Sequence, residues 1–274
     1  MKVKDIFKVP STTGDLGVEI EVEGAKLPEA AEGWWSTKDG SLRGESMEYV
    51  LSQPQTYEET VAALGRLKEA FENRRSKFFE SYRAGVHVHV NVQELTGVEL
   101  ASLITTYYML EGALVRSCRK DRWGNHFCLR TSDAAMGPIM VRSFFKNRMP
   151  RGFNTDELRY SALNLTSLPK YGSVEFRAME STYNFDKVAL FAKRHLDLRN
   201  YAVGKTPVQI VEDATRWGLR AWGSEVVKDT EGLFDYEDAI NDFDNGLEIA
   251  EDFAFCHNWG KKSLDIFSKE DNLW

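Results

Sequence analysis

The chain has 274 residues, of which 42% are hydrophobic and 12% aromatic, enough for a substantial core in one large or two small domains. A net charge of −7 lacks the basic footprint of a nucleic-acid-wrapping protein, so nucleic-acid binding is not expected. No run reaches the ~20 apolar residues of a membrane helix. The opening "MKVKDIFKVPSTTGD" has no signal-peptide core, and Cys118, Cys128 and Cys256 show no metal-ligand spacing. Both features point to the cytoplasm, with the thiols reduced.

In chain order, "GVEIEVEG" (17–24) alternates strictly, which is the signature of a strand with unlike faces. Val18, Ile20 and Val22 share one face; Glu19, Glu21 and Glu23 share the other. "SMEYVLS" (46–52) is a weaker strand with Glu48 at its centre. Thr56 and Glu59 form a capping box before a helix whose apolar stripe is Val61, Leu64, Leu67 and Phe71. "GVHVHVNV" (85–92) sets His87, His89 and Asn91 opposite four valines.

Thr96 and Glu99 cap a second helix, striped by Leu100, Leu103, Ile104, Tyr107, Leu110 and Leu114. Loops follow: "DRWGNHFC" holds His126, and "VRSFFKNRMPRGF" holds Arg142, Lys146, Arg148 and Arg151 on what reads as a solvated surface. "RYSALNLTS" (159–167) reads as a strand sending Tyr160, Ala162 and Asn164 one way. "SVEFRAM" (173–179) aligns Glu175 with Arg177, opposite Val174, Phe176 and Ala178. Asp186 is placed to cap the next helix, and Thr206 with Pro207 opens another. The acidic stretch at 231–252 reads as a solvated helical face.

Strands separated by helices would also suit a parallel sheet, but a charged face on each favours an antiparallel one, since purely parallel strands are buried on both sides. The expected fold class is therefore α+β: a mainly antiparallel, curved sheet with helices on its apolar face. The segment 1–203 is expected to be the catalytic domain, and 204–274 an acidic helical extension packed on it.

The polar face would collect Glu19, Glu21, Glu48, His87, His89, Glu175 and Arg177. Carboxylates two apart on a strand lie about 7 Å from each other. Crowded acids repel unless cations hold them, and oxygen-rich ligation favours Mg²⁺ or Mn²⁺ over zinc. An arginine beside a glutamate suits a phosphate oxygen next to such a metal. Together these suggest phosphoryl transfer, yet the chain has neither a phosphate-binding Gly-rich loop ending in Lys-Ser/Thr nor the protein-kinase signature set.

"GVEIEVE", "DGSL" (39–42), "GVHVHV" and "RYSALNL…SVEFRAME", in that order, resemble the amidoligases of phages and bacteria. These belong to the carboxylate–amine ligases related to glutamine synthetase and glutamate–cysteine ligase, and the resemblance spans roughly residues 15 to 200. It implies a glutamine synthetase-like catalytic fold and an ATP-dependent ligase that joins a carboxylate to an amine through an acyl phosphate. It further implies metal ligands at Glu19, Glu21, Glu48, His87 and Glu175, with His87 also near the nucleotide phosphates. Arg177, Arg159 and Asn164 would meet the phosphates, and Asp39 would orient the amine or the carboxylate. The substrates would be small molecules, peptides or protein side chains, in the host cytoplasm if the gene is a phage's. Glutamine synthetase carries a small domain ahead of the catalytic one; about sixteen residues precede the first motif here, so none is expected.

Two alternatives stand beside this reading. His87-x-His89 with Glu94 echoes the metal strand of a cupin barrel, whose iron or manganese site needs one more histidine from a later strand. A binding protein on a decayed ligase fold would have lost Glu19, Glu21, Glu175 or Arg177, and all four are present. The sequence leaves open the substrates, the oligomeric state and the roles of His89, His126 and the tail.

Overall fold

The computed structural model describes residues 1–131, 133–134 and 159–255. The basic stretch from Arg142 to Arg151, as well as Cys256 and His257, lie outside the described residues. Seven strands form one open sheet: β1 (Leu16–Ala25), β2 (Trp34–Thr37), β3 (Ser46–Leu51), β4 (Lys77–Phe78), β5 (Gly85–Asn91), β6 (Leu163–Asn164) and β7 (Ser173–Glu180). Their order is β2-β3-β1-β5-β7-β6, β4 pairs with one end of β1, and every ladder between them is antiparallel. The α+β class with a mainly antiparallel sheet is as the alternating strands imply.

The helices are α1 (Val3–Phe7), α2 (Tyr57–Arg74), α3 (Gly97–Arg116), the short α4 (Leu168–Tyr171), α5 (Phe185–Ala202), α6 (Pro207–Val226) and α7 (Ala239–Phe255). Among the described residues no helix is long and apolar enough to cross a membrane. Val18, Ile20 and Val22 of β1, Val86, Val88 and Val90 of β5, and Val174 and Phe176 of β7 are all buried. Against these apolar side chains lie α2, α3 and α5, so the opposite face is left to polar groups. The capping boxes at Thr56–Glu59 and Thr96–Glu99 form as expected, each satisfying two backbone donors that the first helical turn leaves orphaned.

Several local expectations change. Val61 is 41% exposed; the buried stripe of α2 is Thr60, Ala63, Leu64, Leu67 and Phe71, rotated by one position toward the sheet. The stretch "RYSALNLTS" joins the sheet as a strand at Leu163–Asn164; Arg159 and Tyr160 are spent on a turn, and Ser161 makes an isolated parallel bridge to Leu129. Asn184 rather than Asp186 caps α5, its side-chain oxygen accepting from Lys187 N at 3.0 Å. The helix opened by Thr206 continues past Gly218. It kinks there, at φ 71°, and runs on to Val226. The two-residue β4 and the edge strand β2 have too little apolar alternation to be read from sequence.

Helix α3 is more deeply buried than a single apolar stripe requires. Its second face is covered by α6 and α7, and the approach to α7 is close: a Cβ at Gly246 would lie 2.3 Å from the Tyr108 carbonyl oxygen. The hydroxyls of Ser102, Thr105 and Thr106 are buried there and donate to carbonyls one turn back. Most acids of α7 face solvent, but Asp242 turns inward to Arg116 and Arg130, at 3.4 Å from each.

Glu111, buried on α3, binds the chain beyond the loop: both its oxygens accept from Thr131 N at 3.0 Å, and one accepts from Thr131 Oγ1. Burial raises its carboxyl to about 7, against the lowering effect of those bonds. A carboxyl at about 7 when folded and 4.5 when unfolded takes up a proton on folding between those values. The native state therefore loses stability as pH rises through that window. In thermal melts from pH 5 to 8, wild type is expected to lose stability relative to Glu111→Gln. A gap independent of pH would contradict this protonation.

Candidate active site

The register of the ladders assembles the polar face. Glu19 pairs across β1–β5 with His87, and Gly17 with His89; His89 pairs across β5–β7 with Glu175, and Glu175 across β6–β7 with Asn164. On the other side Glu21 pairs with Glu48 of β3. Because side chains alternate with period two, each of these groups points to the same side of the sheet.

His87 lies at the centre. Its Nδ1 is 3.2 Å from Glu19 Oε2, 3.5 Å from Glu175 Oε1 and 3.4 Å from Arg177 Nη1, and its Nε2 is 3.9 Å from Glu21 Oε2. His89 reaches Glu19 from the other side, Nε2 to Oε1 at 3.3 Å, and its Nδ1 is 3.3 Å from Ser173 Oγ. Arg177 donates a very short bond to Glu175, which also accepts from Asn164 Nδ2 at 2.7 Å. Glu21 accepts from the backbone N–H of Gly85 at 2.8 Å.

Asp39 sits on the loop after β2 and closes a group with Glu21 and Glu48, their ligand atoms all within 4.8 Å. Glu19, His89 and Glu175 form a second such group. The structure thus brings together Glu19, Glu21, Asp39, Glu48, His87, Asn164, Glu175 and Arg177. His89, whose role the sequence leaves open, completes the second group, and His87 lies beside it, within 3.5 Å of the same two carboxylates.

Other expected residues stand apart. Arg159 is exposed, its guanidinium 5.9 Å from the ring centroid of Tyr160, outside the cluster. His126 is exposed and stacks on Phe127. His195 is buried among Phe176, Phe191 and Tyr107, and burial drives its imidazole down to about 3. Glu94 is on the surface, bonded to Lys2 and Lys4. The cupin alternative therefore lacks its closed barrel, its glutamate and, among the described residues, its third histidine.

Sequence reasoning missed Arg122. Its side chain is fully buried with no carboxylate in hydrogen-bonding range among the described residues, and it donates to the carbonyls of Arg177 at 2.8 Å, Ala178 at 3.3 Å and Tyr82 at 3.3 Å. The β5–β7 register slips by one residue between Val86 and Val88, a bulge that places Arg177 and Ala178 on the longer side. Bulges leave carbonyls unpaired and re-aim side chains. Arg122 satisfies those carbonyls and so fixes the strand from which Arg177 projects. Gly85 makes room for it, since a Cβ there would lie 3.0 Å from Arg122 Nη2. Nothing local marks it, since Arg122 follows Arg119 and Lys120 in a basic stretch that reads as surface.

Charge sets the protonation of the cluster. Burial opposes ionisation of Glu19, but His87 and His89 outweigh it and hold the carboxyl far below the usual range. Glu175 is lowered in the same way, burial being overcome by His89, Arg177 and His87. Burial disfavours charge on His89, yet Glu175 and Glu19 raise it. At the other end burial dominates. It raises Glu21, and it lifts Glu48 to about 7 with help from Glu19, Glu21 and Asp39. Such crowded acids are what a divalent cation relieves. Among the described residues Arg177 Nε is buried without a hydrogen bond, so the face also holds unmet polar capacity suited to an anion.

Glu48→Gln should therefore stabilise the metal-free protein, by on the order of 1 kcal/mol given partial solvent screening. It should also shrink the thermal shift that Mn²⁺ or Mg²⁺ produces. Melts with chelator and with added cation measure both; destabilisation of the metal-free form would show that Glu48 is not crowded.

No curated protein matches the chain. A family model described as "putative amidoligase enzyme" matches residues 46–193. That span includes Glu48, His87, His89, Asn164, Glu175 and Arg177, while Glu19, Glu21 and Asp39 come from the chain ahead of it. On this match, which covers more than half its length, the chain belongs to the amidoligase family.

Proposed function

We propose that the protein is an ATP- and Mg²⁺-dependent carboxylate–amine ligase working through an acyl phosphate. The observation that carries this reading is the pair of carboxylate-rich groups, Glu19–His89–Glu175 and Glu21–Asp39–Glu48, set on either side of His87 and Arg177. Glu19, His89 and Glu175 would hold one ion, and Glu21 with Glu48 a second. Bound there, the ions would offset the charge of the triphosphate and of the transferring phosphoryl group.

Arg177 is already aimed at the centre of the face and gives the γ-phosphoryl oxygens a fixed guanidinium. His87 lies beside it and orients the same oxygens. A substrate carboxylate oxygen attacks the γ-phosphorus, the bond to ADP breaks, and the acyl phosphate forms. The amine nitrogen then attacks the acyl carbon, and the carbon–oxygen bond breaks as phosphate leaves with the electron pair. Asp39, on the loop at the open end, orients the amine and takes its surplus proton. Arg159 has no part in this scheme, since it stands outside the cluster.

The membership of the family supports a ligase, and the donor set supports metal and phosphate chemistry. The test is ADP release by the purified protein with Mg-ATP, a carboxylate pool and an amine pool drawn from host extract, followed by mass spectrometry of the amide product. Glu19→Ala and Arg177→Ala are each expected to lower turnover by at least about a hundredfold while the far-ultraviolet circular dichroism is unchanged. Full activity in both variants would overturn the site assignment.

A further inference from the structure

Beyond the Glu19–His89–Glu175 group the polar face runs into a cleft of about 360 Å³. Gly17 and Val50 form its floor, since Trp35 pairs with Val50, Val50 with Glu19, and Gly17 with His89. Trp35, on the edge strand β2, is 66% exposed on one side. Tyr171, just before β7, is 51% exposed on the other, its ring edge-on to His89 at 6.3 Å between centroids. Two large aromatic rings thus stand open to water around a floor of one glycine and one valine, and each offers a face on which a flat ring can stack.

The N-terminal loop, whose Pro10 and Thr12 also line the cleft, is tied to the Tyr171 side by one buried side chain. Gln93, 1% exposed, donates from Nε2 to the carbonyl of Pro10 at 3.0 Å and to that of Tyr171 at 2.9 Å. Its Oε1 accepts from Thr12 N at 3.0 Å. Gly172, at φ +65°, permits the approach, because a Cβ there would lie 2.5 Å from Gln93 Cγ. The amide uses both donors and its acceptor to hold the N-terminal loop against the turn that carries Tyr171.

Polar side chains along the cleft already have partners. Asp15 accepts from Arg199 at 2.8 Å, Asn91 donates to the Gly14 carbonyl at 2.8 Å, Ser173 meets His89, and Lys170 lies 4.5 Å from the Tyr171 ring centroid. Few groups are therefore left to read the edge of a bound ring.

We propose that this cleft takes the purine ring of the nucleoside triphosphate, recognises it by stacking and shape rather than through its edge, and has its width set by Gln93. The proposal rests on the nucleotide-dependent reading above. Stacking tolerates any base because every base has a π-face, whereas strong discrimination needs hydrogen bonds that a wrong edge would leave unpaired. ATP and GTP should therefore serve alike. Gln93 is a positioning residue: it touches the walls and not the ring.

The experiment is competition against ribose-labelled fluorescent ATP on the full chain with Mg²⁺, using ATP, GTP, UTP and inorganic tripolyphosphate. ATP and GTP are expected to bind within about threefold of each other, and UTP about tenfold more weakly. Trp35→Ala, on the surface, and Gln93→Met should each weaken both purine nucleotides by about tenfold and leave tripolyphosphate unchanged. Gly17→Val suits a strand and fills the floor; it should block the purines and spare tripolyphosphate. A preference for ATP over GTP beyond about thirtyfold would refute readout by shape. Purine binding unchanged in both Trp35→Ala and Gly17→Val would refute the cleft. Equal losses for tripolyphosphate and purines in Gln93→Met would refute its positioning role. If no triphosphate competes at all, the nucleotide-dependent function falls as well, which separates that failure from failure of the cleft alone.

Discussion

The rest of the structure depends on holding like charges close together on one side of a sheet. Glu19, Glu21, Glu48 and Glu175 share that face, and among the described residues the histidines, Arg177, Asn164 and the Gly85 backbone donor answer them. The compensation is uneven. His87, His89 and Arg177 hold Glu19 and Glu175 ionised, while Glu21 and Glu48 are pushed toward the neutral form by burial. A face arranged in this way is under-neutralised at one end and anchored at the other. This is the pattern expected where binding, rather than folding, supplies the missing charge.

Rigidity behind the face makes this arrangement possible. The apolar sides of β1, β5 and β7 are sealed by α2, α3 and α5, and α3 is in turn clamped by α6 and α7. A one-residue slip in any of these strands would turn valines outward and carboxylates inward, so burial of the valines fixes the register that places the acids. The one slip that does occur, at the β5–β7 bulge, is held by Arg122. That arginine and Gln93 do similar work at opposite ends of the face. Each is a buried polar side chain that spends its donors on backbone carbonyls of two different segments. The site is thus positioned by groups that never touch it.

The alternating strands were legible because period two is a direct imprint of a half-buried sheet. "GVEIEVEG" and "GVHVHVNV" name their faces without any tertiary knowledge, as does the Glu-x-Arg of "SVEFRAM". The capping boxes were legible for the same reason, being wholly local. Val61 was misplaced because a stripe read at 3.6 residues is uncertain by one position, and only the partner surface decides the rotation. Asp186 lost the cap of α5 to Asn184 because either residue could start the helix, and the chain entering from β7 chose.

By itself the sequence determined which side chains share a face, since alternation and helical period are properties of neighbouring residues. It also carried the ordered motifs that mark an amidoligase. Tertiary structure decided which faces meet. It put His89 beside His87 in the group with Glu19 and Glu175, joined Asp39 to Glu21 and Glu48, and left Arg159 outside. It also made Arg122 and Gln93 matter, and opened a cleft between residues far apart in the chain. These outcomes rest on strand register, a bulge and loop packing, all of them long-range contacts whose partners no local pattern encodes.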